Sequence, residues 1–505
     1  MGRIIDAKHS PLPQCYSWMN NDPSLKRWET DATCRLLRIG GEPGKGKTML
    51  MISLVQKLER MLNKSPTTYF FCQSTDSRLN SATSVLQGLI WHLVTSNPAL
   101  GDEFDNSFRT RGEKPFCSPN ADFAELSKLL SKLLTHPKAV RINVLVDALD
   151  ECDINKKKLL NFIAENSKQR HSKAKWLVSS RNHRDIEEAF DTPEDNLTTL
   201  SLELNSVHVA QAVNTFINIQ TEALARRKKS LSVDDKEELK RELIQKADAT
   251  FLWVALVFKE LEGTDPWDIL ERAKAFPPTL TAFFGRMLDQ MLSQNERSTA
   301  LCRCVMRGVV LAERPLTLAE LPVVVGLPEQ GFANDRYIAD LVRSCGSFVD
   351  VRDDTCYFVH QSAKDFFLDS EARKRVFDDS LTAEHEQIVC RSLDAMSRVL
   401  TRDDICSLVH PGSPPPDRDS QTIRASLLWP IRYSCSFWVV HLEHSLQDSD
   451  RSGPLKSTLA VLIYDFLKER FLRWVEALAN LSQLDVAFAA LQVLELMCAV
   501  CDIPA

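Results

Sequence analysis

The sequence lacks the features that mark membrane, nucleic-acid-binding and repeat proteins. Its longest wholly apolar stretch is residues 251–258, far short of the roughly 18 residues that a membrane-spanning helix needs. The 62 Lys and Arg do not outnumber the 68 Asp and Glu, so there is no basic excess to neutralise nucleic-acid phosphates. No segment recurs with a period of about 20 to 50 residues. We therefore expect no membrane partner, no nucleic-acid partner and no repeat array within these residues.

The cysteines do not indicate a disulfide scaffold. The 14 Cys are scattered from Cys15 to Cys501 without dense, short spacing, which favours reduced and mostly buried thiols. Residues 1–13 contain no apolar core of a signal peptide. These observations predict a cytoplasmic protein.

Short apolar runs alternate with longer helical stretches between residues 35 and 205. The runs that we interpret as strands are residues 35–40, 67–72, 141–147, 175–180 and 197–204. Strands that alternate with helices are typical of a parallel sheet flanked by helices. We therefore predict an α/β domain over residues 35–205, built on a five-stranded parallel sheet. A lead-in helix and linker precede it over residues 1–34.

Beyond residue 205 the pattern becomes helical. Apolar side chains recur at helical spacing over residues 280–291, and we assign residues 206–295 to a helical domain. Between residues 315 and 370 a helix start, a helix, two short strand-like runs and another helix follow in turn. That order suits a winged-helix-like domain, assigned to residues 296–380. Residues 381–505 are predicted to be a C-terminal helical region.

Residues 41–48 read GEPGKGKT and match the pattern G-x-x-x-x-G-K-[ST] between an apolar strand and a helical run. Its glycines let backbone N–H groups form a nest for phosphate oxygens, and the helix N-terminus adds partial positive charge. The Lys47 ammonium can reach the β- and γ-phosphates, and the Thr48 hydroxyl can bind Mg²⁺. The expected nucleotide-binding residues are Gly41, Glu42, Pro43, Gly44, Lys45, Gly46, Lys47, Thr48 and Met49.

Acidic residues follow the third predicted strand. Asp147 ends the run RINVLVD, and a carboxylate at a strand tip completes the Mg²⁺ site of a phosphate loop. We expect Asp147 to act through water, because Mg²⁺ keeps several of its waters. Asp150 and Glu151 lie just past the strand end, where one of them can orient or deprotonate an attacking water. The alternative for either residue is that it only caps the next helix.

Arg181 follows the fourth predicted strand. The carboxyl ends of parallel strands face the ligand crevice, so Arg181 is expected to point toward the γ-phosphate. An arginine at this place can sense the γ-phosphate or stabilise transferred charge. A surface salt bridge is the alternative.

Several segments together resemble one family. GEPGKGKTML, VLVDALDEC and KWLVSSR are similar to the NACHT class of STAND NTPases, and in particular to the fungal NLR-like proteins that govern heterokaryon, or vegetative, incompatibility. Ala148 directly after Asp147, with Asp150 and Glu151 following, is the feature that separates this class from most P-loop ATPases. The resemblance covers most of residues 18–367 and includes ATFLWVALVFKEL and YFVHQSAKDFF.

The resemblance implies a nucleotide-dependent switch in non-self recognition or programmed cell death. It implies ADP or GDP at rest, exchange for ATP or GTP with Mg²⁺, slow hydrolysis, homo-oligomerisation on activation, and a protein partner that supplies the effector function. Family members usually carry effector and repeat domains, and their absence here points to a fragment, a split gene product or a truncated paralogue.

The resemblance also implies a role for His360, which begins the stretch HQSAKDF. In relatives this histidine contacts the β-phosphate of the bound diphosphate, whereas on sequence alone a histidine at a strand end is more often structural. The glycine that usually precedes the FLWV helix is Ala249 here, so no nucleotide contact is carried over to that segment.

Two other functions stay open. One is an ATPase that couples turnover to work, which fast steady-state turnover would favour. The other is a nucleotide-free scaffold whose fold is only an oligomerisation surface, which the failure of every nucleotide to raise thermal stability would favour. The phosphate motifs do not fix the base, so the choice between ATP and GTP is also open.

Overall fold

The computed structural model describes residues 12–60, 65–97, 100–101, 123–136, 141–169, 171–190, 197–327, 334–377, 380–406, 423–424, 426–446 and 457–501. The chain divides into two compact units, Met1–Phe283 and Phe284–Ala505. The finer division into domains stays a prediction.

The first unit is built on a parallel sheet of five strands, as predicted. The strands are β1 Leu36–Gly40, β2 Thr67–Phe71, β3 Ile142–Asp147, β4 Ala174–Ser180 and β5 Leu197–Ser201. Their order in the sheet is β2-β3-β4-β1-β5. Strand β4 therefore lies between β1, which precedes the glycine-rich loop, and β3, which ends at Asp147.

Helices cover both faces of this sheet, which explains why β1, β3 and β4 are buried along their whole length. The helices of the first unit are α1 Pro13–Tyr16, α2 Pro23–Thr30, α3 Lys47–Arg60, α4 Ala82–Ser96, α5 Phe123–Thr135, α6 Lys156–Lys168, α7 Arg184–Phe190, α8 Ser206–Arg227, α9 Val233–Lys246, α10 Phe251–Gly263 and α11 Ile269–Ala275. One apolar core joins the sheet to α4, α5, α6 and α7. A second core joins it to α1, α2, α3 and α8.

The predicted end of the fifth strand is wrong. We expected it to run over residues 197–204, but β5 stops at Ser201. The Ser201 hydroxyl accepts the N–H of Leu204, and the Ser201 carbonyl accepts the N–H of Asn205. These local bonds turn the chain away from the sheet before α8 begins.

The second unit is mostly helical. Its helices follow α12 Leu280–Leu292, which spans the boundary between the units, and are α13 Glu296–Leu311, α14 Leu321–Val325, α15 Asp335–Ser344, α16 Gln361–Leu368, α17 Ser370–Val376, α18 Leu381–Val399, α19 Arg432–Ser445, α20 Ser457–Asn480 and α21 Leu484–Cys501. Helices α18, α19, α20 and α21 share an apolar core in which Trp438 and Trp474 are wholly buried.

A small antiparallel sheet lies within the second unit. Its strands are β6 Leu316–Thr317, β7 Val349–Arg352 and β8 Thr355–Phe358, in the order β6-β8-β7. Asp353 and Asp354 join β7 to β8 with φ of 46° and 57°, as a two-residue hairpin of the I′ type requires. The order helix, strand, two helices and hairpin is that of a winged helix. Over the part of the chain that the structure describes, no helix combines the length and apolar character needed to cross a membrane.

Candidate functional site

The glycine-rich loop connects β1 to α3, and its shape depends on two glycines. Gly44 has φ of +77° and Gly46 has φ of +90°, a region that L side chains rarely adopt. A Cβ atom added at Gly44 would lie 2.9 Å from Cγ2 of Thr250, and one added at Gly46 would lie 2.9 Å from Cδ2 of Phe251. Both the backbone conformation and the close approach of a second segment therefore require glycine here.

That second segment, residues 248–252, immediately precedes and begins α10. The Leu252 N–H donates to the Gly44 carbonyl at 3.3 Å, and the Lys45 Nζ donates to the Asp248 carbonyl at 2.6 Å. No local pattern in the sequence predicts these contacts. Ala249 has φ of 51°, which explains physically why glycine is usual at this position in the family that the sequence resembles.

Lys47 begins α3 and folds back over the loop. Its Nζ donates to the carbonyls of Gly41 at 2.5 Å and Glu42 at 2.9 Å. Burial lowers the pKa of Lys47, while the nearby carboxylates of Asp150 and Asp147 act to raise it. The ammonium group thus lies within electrostatic reach of both predicted acidic sites. The next two predicted residues, Thr48 and Met49, lie in the first turn of α3.

Glu203 is a neighbour of the loop that sequence reasoning missed. Its Oε1 accepts the backbone N–H of Glu42 at 2.7 Å, and its Oε2 accepts the Ser201 hydroxyl at 3.0 Å. Burial acts to raise the pKa of Glu203, but these and other hydrogen bonds outweigh it and hold the pKa below its ordinary value. The Glu203 carboxylate is therefore ionised, and in that form it holds the start of the loop in place.

Asp147 ends β3 with its residue only 2% exposed. Its Oδ1 accepts the hydroxyl of Ser179 from the neighbouring strand β4. The next residue, Ala148, has φ of 53° and ψ of 53°, and its N–H donates to the same Ser179 hydroxyl at 2.9 Å. The chain thus leaves the sheet through a left-handed residue that turns the following acids back toward the strand ends.

Asp150 and Arg181 form an ion pair at this edge of the sheet. Arg181 Nε lies 3.1 Å from Asp150 Oδ2, and the Arg181 N–H donates to Asp150 Oδ1 at 3.0 Å. The Glu151 Oε2 accepts the N–H of Ser74 at 3.3 Å. The residue at the N-cap of the next helix, α6, is Asn155. The helix-capping alternative for Asp150 and Glu151 therefore does not describe their contacts.

The donor set fits Mg²⁺. No group of three or more His, Cys, Asp or Glu that could hold a metal occurs within the described ranges. The candidate ligands are the Asp147 carboxylate at the end of β3 and the Thr48 hydroxyl in the first turn of α3, both of them hard oxygen ligands. Mg²⁺ is bound in this way in nucleotide sites, by few protein oxygens, several waters and the phosphates themselves.

His360 belongs to the second unit and caps helix α16. Its Nδ1 accepts the N–H of Ser362 at 3.1 Å and lies 3.0 Å from the Ser362 hydroxyl oxygen. Accepting an N–H requires an unprotonated Nδ1, so the proton of the neutral ring is on Nε2. The structural role is thus visible, and the predicted phosphate contact stays a prediction.

Known proteins are similar to this chain over part or nearly all of its length. Residues 14–181 match the family model described as Nephrocystin 3, N-terminal, a range that includes the loop, Asp147 and Arg181. The chain is 35% identical over 526 residues to the vegetative incompatibility protein HET-E-1 of Podospora anserina, with 98% of this chain aligned. Together with the strand order, these similarities support a NACHT-type P-loop NTPase.

The chain spans 37% of the length of that relative. Among solved structures it is similar to the Walker-type ATPase PABY2304 of Pyrococcus abyssi, with 13% identity, a TM-score of 0.30, and coverage of 68% of this chain and 94% of that one. Cdc6p of Pyrobaculum aerophilum gives 11% identity, a TM-score of 0.32, and coverage of 74% and 95%. At such TM-scores the strand order, not the superposition, carries the fold assignment.

Proposed function

We propose that this chain is a nucleotide-dependent signal-transduction switch that acts in non-self recognition of the vegetative-incompatibility type. The observation that carries the proposal is that Lys47, at the start of α3, lies within electrostatic reach of the carboxylates of Asp147 and Asp150 at the carboxyl edge of the sheet. Asp150 in turn pairs with Arg181, which follows β4. Parallel sheets bind ligands at this edge. The similarity to the incompatibility protein supports the biological setting.

The loop residues bind the phosphates of ATP or GTP. Backbone N–H groups of residues 44–48 surround the phosphate oxygens. Lys47 exchanges its bonds to the Gly41 and Glu42 carbonyls for bonds to the β- and γ-phosphates. Thr48 and Asp147 would hold Mg²⁺, which would neutralise charge on the phosphates.

Hydrolysis is slow and resets the switch. Asp150 contacts both the backbone N–H and the guanidinium of Arg181, so its carboxylate positions this arginine toward the γ-phosphate. Glu151 then orients or deprotonates the attacking water, from a position fixed by its bond to the Ser74 N–H.

The switch depends on contacts that differ between the diphosphate and triphosphate states. Residues 248–252 contact Gly44, Lys45 and Gly46 directly, so a change in the loop reaches α10. His360 donates from Nε2 to the β-phosphate of ADP or GDP at rest. Exchange for the triphosphate releases that contact and permits homo-oligomerisation and binding of a protein partner with the effector function.

Two measurements test this function together. Nucleotide extracted from the purified protein is identified by mass, and melting is followed with ADP, ATP, GDP and GTP in the presence of Mg²⁺. A ligand at about a hundred times its dissociation constant stabilises the folded state by about 2.7 kcal/mol. We expect a clear rise in the melting temperature with one of the two series, the adenine or the guanine nucleotides. If no nucleotide is bound and none of the four raises the melting temperature, the scaffold function is favoured. Turnover at metabolic rates would instead favour the ATPase that couples turnover to work.

A further inference from the structure

Ser179 makes two hydrogen bonds that link the strand β4 to the end of β3. Its hydroxyl donates to Oδ1 of Asp147 and accepts the N–H of Ala148 at 2.9 Å. Ser179 is 0% exposed, so water does not compete for either bond. A single hydroxyl thus fixes both the carboxylate expected at the Mg²⁺ site and the peptide that follows it.

The second bond is needed because of the conformation of Ala148. A residue with a Cβ atom is disfavoured at φ of 53°, and Ala148 is 9% exposed, so its N–H needs a partner inside the protein. The Ser179 hydroxyl supplies that partner. The turn then leads directly into Asp150, which binds Arg181.

We propose that Ser179 is a positioning residue for the metal and nucleotide site: it fixes the rotamer of Asp147 and the left-handed turn at Ala148. The inference deepens the proposed function and rests on it. Without this hydroxyl, the Asp147 carboxylate would lose the hydrogen bond from Ser179, and the Ala148 N–H would lose the acceptor that it has in the structure. Partners that orient a metal ligand in this way typically contribute about ten- to a hundredfold to metal affinity.

The neighbouring residue provides a matched control. Ser180 is also 0% exposed and lies in the same strand, but its side chain points to the opposite face of the sheet. Its hydroxyl faces the Nε of Arg38 at 3.5 Å, not Asp147. Ser180→Ala therefore removes the same atoms from the same burial without touching the proposed contact.

The experiment measures nucleotide affinity with Mg²⁺ and with EDTA for the full chain and for Ser179→Ala, Ser179→Cys, Ser179→Thr and Ser180→Ala. In wild type we expect Mg²⁺ to tighten binding. In Ser179→Ala we expect a Mg²⁺ requirement about ten- to a hundredfold higher, with the affinity in EDTA unchanged. Ser179→Cys keeps most of the volume with a weak donor and should behave like Ser179→Ala. Ser179→Thr should restore the wild-type response, and Ser180→Ala should retain it.

The outcomes distinguish a failure of the proposed function from a failure of the role proposed for Ser179. If wild type binds no nucleotide, or binds it without any effect of Mg²⁺, the proposed function itself fails. If wild type responds to Mg²⁺ and the folded Ser179→Ala or Ser179→Cys responds equally, Ser179 is not a positioning residue. An equal loss in Ser180→Ala, or in EDTA, would also overturn the proposal, because the effect would then be general to the strand.

Discussion

Charged side chains in the two units differ in their hydrogen-bond partners. In the second unit Glu320 is 0% exposed and accepts Arg314 at 2.7 and 2.9 Å, Arg432 at 3.1 Å and the Thr317 N–H at 2.9 Å. Burial acts to raise the pKa of Glu320, yet the two arginines hold it at about 2. In the first unit the Lys47 ammonium donates instead to two backbone carbonyls of its own loop.

The difference separates a structural cluster from a site. Removing one partner of a buried ion pair strongly destabilises the fold. Such a pair already satisfies its own charges and has none left to bind a ligand. An ammonium bound to neutral carbonyls can transfer its bonds to phosphate oxygens, which are stronger acceptors because they are charged. We therefore expect substitutions at Glu320 to change stability and substitutions at Lys47 to change binding.

The largest expected effect on stability is that of Glu320→Ala. It leaves Arg314 and Arg432 buried without their carboxylate, and the free energy of unfolding of the second unit should fall by about 3 to 5 kcal/mol. Urea unfolding followed by hydrogen exchange in α18 and α19 measures it. The control is Glu371→Ala, whose pair with Lys374 has side chains 84% and 72% exposed, and which should change stability by less than about 0.5 kcal/mol. Equal effects of the two substitutions would mean that the buried Glu320 cluster contributes no more to stability than an exposed ion pair.

A smaller effect is expected from acidification. His385 lies 2.7 Å from His441, Nδ1 to Nδ1, and burial, with His444 and Lys364 adding and Glu313 opposing, lowers the pKa of His385 to about 4. Below about pH 6.5 the unfolded chain binds a proton that the folded state rejects. The stability of the second unit should therefore fall by about 1 to 3 kcal/mol between pH 6.5 and 4.

Hydrogen exchange in α18 and α19 at a series of pH values, corrected for intrinsic rates, measures this loss. The buried amides of β4 serve as the internal reference. His385→Asn should make the dependence shallower because it removes one of the groups that resist protonation. A stability that is flat over this window in wild type would contradict the neutral, mutually bonded state of His385 and His441.

The smallest expected effect is that of Ala249→Gly beside the loop. Ala249 has φ of 51°, which glycine adopts without the steric penalty, and the first unit should gain about 0.5 to 1 kcal/mol. Ala247→Gly is the matched control, because Ala247 has φ of -66° and should lose roughly 1 kcal/mol. Thermal unfolding distinguishes the two directions. A loss in both variants would mean that the conformation at position 249 is not strained.

The motifs were predictable because they are local. The strand before Gly41, the loop glycines and the strand that ends at Asp147 each occupy a short continuous segment whose pattern has one meaning. The contacts of Glu203 with Glu42 and of Lys45 with Asp248 join residues 161 and 203 positions apart, and no periodicity reports such pairs. The sequence places Ser179 in a strand but does not reveal its partner, because Asp147 lies on the neighbouring strand.

The early end of β5 was missed for a related reason. Residues 202–204 alternate apolar, charged and apolar, which continues the strand pattern. However, the Ser201 hydroxyl accepts the Leu204 N–H, and the Ser201 carbonyl accepts hydrogen bonds from Asn205. The choice between strand and turn is made by hydrogen bonds that composition does not reveal.

We propose that the sheet edge of the first unit binds nucleotide phosphates through Lys47, and calorimetric titration of Lys47→Ala measures this binding. The control is Lys57→Ala, a lysine on the same helix whose Nζ pairs with Glu29 at 2.6 Å. We predict that Lys47→Ala, folded as judged by its melting curve, binds the triphosphate at least about a hundredfold more weakly than wild type, while Lys57→Ala binds it normally. Equal affinity of wild type and Lys47→Ala would mean that Lys47 does not bind the phosphates.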